Sequence, residues 1–252
     1  MSTDVKQGIK TIAGLNKDTL QKIYRNMALS RYLDEKMLIM LKQGKSFFHI
    51  GAAGHEAIQT AAGFALQPGY DYAYPYYRDL SFVLQFGVTP KEVMLNFLAR
   101  EADPSSGGRQ MPNHYGHRQL HIISQSSPTG TQYLQAVGTA MAARKMNLDE
   151  VVYVSSGEGT TSQGDFHEAI NWAAREKLGV IFVIQNNRYA ISVPVSEQMA
   201  GRSVYKFTAG YEGLNRYKVD GTDFFKSLDV VQKAVEKARS GNGPALIEAD
   251  TV

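Results

Sequence analysis

A chain of 252 residues, 43% hydrophobic and 20% charged, is long enough to bury a substantial core as a single large domain. It has no cysteine, which excludes disulfides and thiolate metal sites, and its net charge of +3 is scattered rather than gathered into the basic face that nucleic acid requires. No apolar run approaches the roughly 20 residues of a membrane span. The opening MSTDVKQGIKTIAGLNKD lacks a leader's apolar core, so a cytoplasmic protein with neither membrane nor nucleic-acid partner is expected.

Residues 1–16 read as an N-terminal extension, and the whole of 1–252 as one domain. Asn16 or Asp18 can cap a helix in which Leu20, Ile23, Tyr24 and Met27 recur at helical spacing, running to about Lys42 and stopped by Gly44. HEAIQTAAGFAL predicts a second helix, ended by Pro68-Gly69. A tyrosine-rich segment and RDLSFVLQFG lead to TPKEVMLNFLAR, whose Pro90 suits a first helical turn. From Glu101 to Pro128 the chain is rich in Gly, Pro, Ser and His and reads as a long functional loop. TQYLQAVGTAMAARKM follows as a helix with small residues at Ala136, Gly138, Ala140 and Ala142, suited to close packing against a neighbour.

Strand 151–156, helix 165–178 and strand 180–185 then make a βαβ unit, which demands a parallel sheet. RYKVDG, SLDVVQKAVEKARSG and PALIEADTV repeat the alternation. The fold class is α/β, a mostly parallel sheet with helices on both faces.

Two loops, GEG and NN, fall just past the carboxyl ends of strands that such a unit places side by side, about 4.8 Å apart. Open α/β sheets hold ligands there. Glu158 and Asn187 would offer a carboxylate and an amide oxygen to one crevice, a hard-cation set suited to Mg²⁺, which borrows further oxygens from substrate phosphates. Gly157 and Gly159 would let the backbone approach those phosphates, and the helix start beyond them offers free N–H groups. Equally, Gly and Asn simply end many strands. There is no G-x-x-x-x-G-K-[ST], GEGTTSQG does not fit G-x-G-x-x-G, and Gln185-Asn186-Asn187 stands where a dinucleotide site wants an acid, so neither a P-loop nor an NAD site is expected.

Gly-Glu-Gly followed by about 30 residues and closing in Asn-Asn resembles the thiamine diphosphate motif. With GRQMPNHYG, SSPTGTQ, GEGTTSQGD and NNRYAISVPVSEQMAG, the chain from Leu20 to Val252 resembles the alpha subunit of the decarboxylating component of 2-oxo acid dehydrogenases, most closely the branched-chain type. The resemblance implies a thiamine diphosphate-binding fold, with Mg²⁺ held by Glu158, Asn187 and the backbone carbonyl of Tyr189. It implies cofactor contacts at Tyr77, Arg78, Ser127, Thr129, Gly159, Thr160 and Gln185. Ser126, Pro128, Thr131 and Gln132 match a potassium-binding turn, for which an ordinary Ser-Pro turn is the alternative. His114 matches an active-site histidine. An imidazole beside a reacting carbonyl suits proton transfer or charge stabilisation. The alternative, zinc on His114, His117 and His121, is opposed by Pro112 and Gly116, which break any regular helix presenting all three.

The implied reaction is decarboxylation of a 2-oxo acid and transfer of the acyl group to the lipoyl group of an acyltransferase component. A beta subunit, in an α₂β₂ heterotetramer, would supply the glutamate that activates the cofactor. Pyruvate and acetoin members of the family, or a non-catalytic cofactor-binding subunit, stay open as alternatives. Three departures stand out: Thr129 where relatives have an apolar residue, Gln185 where they have Arg, and a chain that stops at IEADTV where they continue into a further loop. A fragment, or one half of a longer polypeptide lacking the C-terminal part of the family domain, is the corresponding expectation.

Overall fold

The computed structural model describes residues 14–252; most of the expected N-terminal extension lies outside them. Asn16 opens the first helix, α1 (Lys17–Lys42), its side-chain oxygen accepting the Thr19 N–H at 2.9 Å. The helix α2 (Glu56–Ala65) is buried almost all round and precedes a three-residue strand, β1 (Tyr72–Tyr74). Next come α3 (Leu80–Gln85) and α4 (Pro90–Phe97). Gly63 lets α2 and α3 meet closely, because a Cβ there would sit 3.0 Å from the Phe82 carbonyl oxygen. Thr89 and Glu92 form a reciprocal capping box for α4, with Pro90 in its first turn.

The long loop that follows is tied to a buried carboxylate. Asp103 accepts the N–H groups of Ser105 at 3.0 Å and Ser106 at 3.1 Å and the amide of Asn96 at 3.2 Å, while Asn96 in turn accepts the Asn113 N–H at 2.8 Å. After it come α5 (Thr131–Lys145), β2 (Val152–Gly157), a 3₁₀ turn (Glu158–Ser162), α6 (Gly164–Arg175) and β3 (Val180–Asn186). A small hairpin of β4 (Tyr189–Ala190) and β5 (Val193–Pro194) leads into the short helices α7 (Val195–Gln198) and α8 (Val204–Phe207). The chain closes with β6 (Asn215–Asp220), α9 (Phe224–Arg239) and β7 (Ala245–Asp250).

Five strands form one parallel sheet in the order β1-β2-β3-β7-β6. Its central strands are apolar on both faces. Val152, Val154, Phe182, Ile184 and Leu246 join Tyr133, Ala136, Phe166 and Ile170 on the side of α5 and α6. Tyr153, Ile181, Val183 and Ile247 join Met37, Ile58, Phe82 and Val231 on the side of α1, α2, α3 and α9. Helices thus cover both faces, as a continuous apolar strand requires.

The sequence did not disclose α3, the β4–β5 hairpin, α7, α8 or β1, and β1 shows why. Its three residues pair with β2 on one side and bridge to Ile122 of the long loop on the other, so partners distant in sequence make it a strand. In α5, Ala136 and Ala140 are buried against the sheet and α6, and Ala143 is buried too, whereas Gly138 and Ala142 face outward. Among the described residues no helix is long and apolar enough to cross a membrane.

Candidate functional site

The register of β2 against β3 sets Gly157 opposite Gln185, so the loops that follow both strands emerge at one edge of the sheet. There a cavity of about 520 Å³ opens, within the range of ligand pockets. Its wall includes the three expected metal ligands, Glu158, Asn187 and Tyr189. It also takes in the expected cofactor contacts Tyr77, Arg78, Ser127, Thr129, Gly159, Thr160 and Gln185, with His114 beside them. Ser126, Pro128, Thr131 and Gln132 sit in the turn that opens α5, outside the cavity wall. There the Thr131 hydroxyl donates to the Pro128 carbonyl at 3.1 Å, and Gln132 bridges Gly130 and Ser155.

Glu158 is 1% exposed, yet its Oε1 has no hydrogen-bond partner. Burial raises its pKa, an effect opposed by backbone N–H groups, including that of Asn187, and by Arg78. A buried carboxylate with an unmet acceptor is costly, and a hard cation at that oxygen meets the need. The donor set, one carboxylate, one amide oxygen and one backbone carbonyl, fits Mg²⁺ completing its octahedron from a diphosphate and water. Gly159 is required for a different reason from the one its position suggests: a Cβ there would lie 2.5 Å from the Cβ of Ala190, so the glycine admits the β4–β5 hairpin.

The two asparagines divide their work. Asn187 sits at the cavity with its Oδ1 accepting the Tyr189 N–H at 3.1 Å. Asn186 turns inward, 3% exposed, donating to Glu248 at 2.8 Å and accepting the Arg188 N–H at 3.0 Å. Arg188 itself takes a left-handed φ of 70°, which bends the chain back toward the site.

Gln185 closes the cavity floor with both ends of its amide engaged. Its nitrogen donates to Asp79 at 2.6 Å; its oxygen accepts from Gln59 at 2.8 Å and from the His55 Nδ1 at 2.7 Å. Asp79 is completely buried and also receives hydroxyls from Tyr153 and Ser155. Burial pushes its pKa up to about 6 against those donors. His55 moves the other way, to about 4, chiefly through burial, with Arg78 adding to the effect. Gln185 therefore supplies hydrogen bonds to a buried anion in place of a second cation for a ligand. The cation at the cavity is Arg78, whose guanidinium donates to the Gly51 carbonyl and lies 5.6 Å from the Tyr77 ring.

His114 is 3% exposed. Its Nδ1 faces the Pro112 carbonyl at 3.3 Å and must carry the hydrogen, which leaves Nε2 to accept from the Ser127 hydroxyl at 3.0 Å. The histidines His117 and His121 go elsewhere: one pairs with Glu92 at 3.6 Å, the other stacks on Tyr72. The three imidazoles therefore share no site.

Residues 24–252 match the family model for the dehydrogenase E1 component. The chain belongs to that family. It is 45% identical over 248 residues to the 2-oxoisovalerate dehydrogenase subunit alpha of Bacillus subtilis (strain 168), covering 98% of this chain and 74% of the relative. It is 37% identical over 237 residues to the 3-methyl-2-oxobutanoate dehydrogenase subunit alpha of Mycobacterium tuberculosis, and 36% to the mitochondrial 2-oxoisovalerate dehydrogenase subunit alpha of Homo sapiens. In both it covers 94% of this chain but only 61% and 53% of the relatives' length. Among solved structures, a transketolase from Campylobacter jejuni superposes with a TM-score of 0.68 at 20% identity, over 92% of this chain and 38% of that one. The likeness shows the fold, the thiamine diphosphate-binding α/β fold. Family and fold together imply thiamine diphosphate as the cofactor.

For this E1 component chain the sequence left several cavity residues unnoticed. Phe48, Ile50, Met111 and Ile191 make an apolar section of the wall. Tyr76 also lines it, its hydroxyl buried without a partner next to the Tyr77-Arg78 pair. These positions carry no motif and no period. Tyr76 could have been suspected only from its place in YPYYRD.

Proposed function

We propose that this chain is the alpha subunit of a thiamine diphosphate-dependent dehydrogenase that decarboxylates branched-chain 2-oxo acids and passes the acyl group to the lipoyl group of an acyltransferase component. The observation that carries the reading is the unpartnered, buried oxygen of Glu158, in one cavity with Asn187 and Tyr189. Glu158, Asn187 and the Tyr189 carbonyl would hold Mg²⁺, and Arg78 with the backbone at Gly159 and Thr160 would hold the diphosphate. The turn with Ser126, Pro128, Thr131 and Gln132 is the candidate potassium site. When bound, the cofactor supplies the electron sink that lets a 2-oxo acid lose CO₂.

This chain's residues then orient and shield. Phe48, Ile50 and Met111 give an aliphatic side chain an apolar wall, and Ile191 stands exposed at its mouth. His114, its Nδ1 hydrogen fixed on Pro112, presents Nε2 for proton transfer once the Ser127 hydroxyl turns aside. A beta subunit, in an α₂β₂ assembly, completes the site.

Calorimetric titration of thiamine diphosphate with and without Mg²⁺ tests the binding half. Metal-dependent binding is expected, and binding indifferent to Mg²⁺ would overturn the ligand assignment. With a beta partner, turnover of 3-methyl-2-oxobutanoate should exceed that of pyruvate. Preference for pyruvate would move the chain to that branch of the family, and turnover of neither would leave a non-catalytic binding subunit.

A further inference from the structure

Glu248 lies on β7, away from the cavity wall, and is completely buried. Its two oxygens face two different structures. Oε1 accepts the Asn186 side-chain N–H at 2.8 Å and lies 3.5 Å from the Lys218 ammonium. Oε2 accepts the Ser203 hydroxyl at 2.7 Å and the Tyr205 N–H at 2.6 Å, tying down the start of α8. Lys218 is shared with Asp250 at 3.3 Å.

The Oε1 side leads directly to the metal ligands. Asn186 is fixed at three points: its amide on Glu248, its side-chain oxygen on the Arg188 N–H at 3.0 Å, and its carbonyl on the Thr251 N–H at 2.9 Å. With Asn186 so held, Arg188 is kept in its left-handed conformation, and its carbonyl accepts the Val195 N–H at 2.9 Å. A non-glycine residue holds such a φ only where its surroundings impose it. That bend carries Asn187 and Tyr189, the residue on either side of Arg188, to the cavity.

We propose that Glu248 is a positioning residue for the metal site: through Asn186 it sets the turn that presents the Asn187 side-chain oxygen and the Tyr189 carbonyl to the cation. The inference rests on the Mg²⁺–thiamine diphosphate reading of the cavity. It explains why the loop carries two asparagines, one that faces the metal and one that ties the turn to the neighbouring strand. Partners that orient metal ligands in this way commonly change metal affinity by 10–100-fold when removed.

The two faces of the carboxylate allow a test that a merely structural role would fail. The Mg²⁺ concentration for half-maximal thiamine diphosphate binding is measured by calorimetry on the full chain, together with the melting temperature of the cofactor-free protein. Glu248→Ala removes the acceptor from both branches and should raise the Mg²⁺ requirement at least tenfold, with full binding restored by excess Mg²⁺. Asn186→Ala removes both the Glu248 bond and the Arg188 bond of that side chain and should shift the requirement at least as far; if Glu248→Ala does not fold, Glu248→Asp, whose carboxylate stands one methylene short of Asn186, decides the matter. Ser203→Ala breaks only the Oε2 branch; it should lower the melting temperature and leave the Mg²⁺ requirement within twofold. An unchanged Mg²⁺ requirement in Glu248→Ala (or in Glu248→Asp where it stands in) or in Asn186→Ala, or an equal shift in Ser203→Ala, would refute the proposal while leaving the cofactor reading intact. A wild-type chain that binds no thiamine diphosphate at any Mg²⁺ concentration would remove both.

Discussion

At the floor of the cavity Gln185, Asp79, His55 and Gln59 are buried, and each donates or accepts within the group at 2.6–2.8 Å. At its mouth Met111, Tyr189 and Ile191 stand 45%, 57% and 102% exposed, and Ile191 holds a left-handed φ of 59° that a β-branched side chain resists. The floor group is held within one chain: the carboxylate of Asp79 and the amides of Gln185 and Gln59 find partners from α2, the residue before it, the segment before α3, or β2 and β3. The mouth is apolar, exposed and strained, which is how a surface is built when a second molecule is to cover it. On the proposed reading the beta subunit is that cover. On that reading, binding of the cofactor's charged end and completion of the reaction site are separable properties of this chain.

The separation is tested most sharply at His114, which lines the same cavity. His114→Ala should lower turnover of the reconstituted complex by about 10²–10⁴-fold while Mg²⁺–thiamine diphosphate affinity stays within about threefold. Turnover, affinity and melting temperature falling together would instead make it a packing residue of the loop. Next in size is Glu158→Ala, which removes the carboxylate from the metal set and should weaken cofactor binding by about 100-fold or more in calorimetric titration. Unchanged affinity would break the assignment of the whole strand-end site.

The floor has a pH signature. Asp79 has a folded-state pKa of about 6, above its unfolded value of 3.8, so the stability tied to its protonated form is full below pH 3.8 and lost as pH rises through 6. Denaturant titration should show Asp79→Asn gaining roughly 2 kcal/mol relative to the wild type between pH 4.5 and 7.5. His55, lowered to about 4, acts oppositely: stability present above pH 6.5 is lost as pH falls toward 4. A pH-independent difference between wild type and Asp79→Asn would show that the floor carries no buried charge.

The smallest effect belongs to the mouth. Ile191→Gly relieves the left-handed strain and should leave the chain's stability within about 1 kcal/mol of wild type in urea. Association with a beta partner, followed by sedimentation, should nevertheless weaken. Loss of fold stability with unchanged association would mean that Ile191 serves the hairpin and not a cover.

Some of this was legible in the residues alone. Helical apolar spacing and the Asn16 cap placed α1, and Pro90 marked the first turn of α4, because such signals act over a few residues. The βαβ alternation dictated a parallel sheet, and that sheet dictated that Glu158 and Asn187 meet at one edge, since parallel neighbours end on the same side. The motifs around His114 and the two strand ends supplied the family.

The tertiary structure decided what depends on partners distant in sequence. β1 is a strand only because β2 and Ile122 flank it. Gly159 is glycine because Ala190 approaches from the hairpin. Gln185 turned out to serve Asp79, 106 positions away in sequence, and Asn186 to serve Glu248, 62 away. A sequence pattern reports local backbone preference and the face a side chain occupies. Which buried polar group satisfies which is settled only when the packed chain excludes water and leaves each donor the acceptors within its reach.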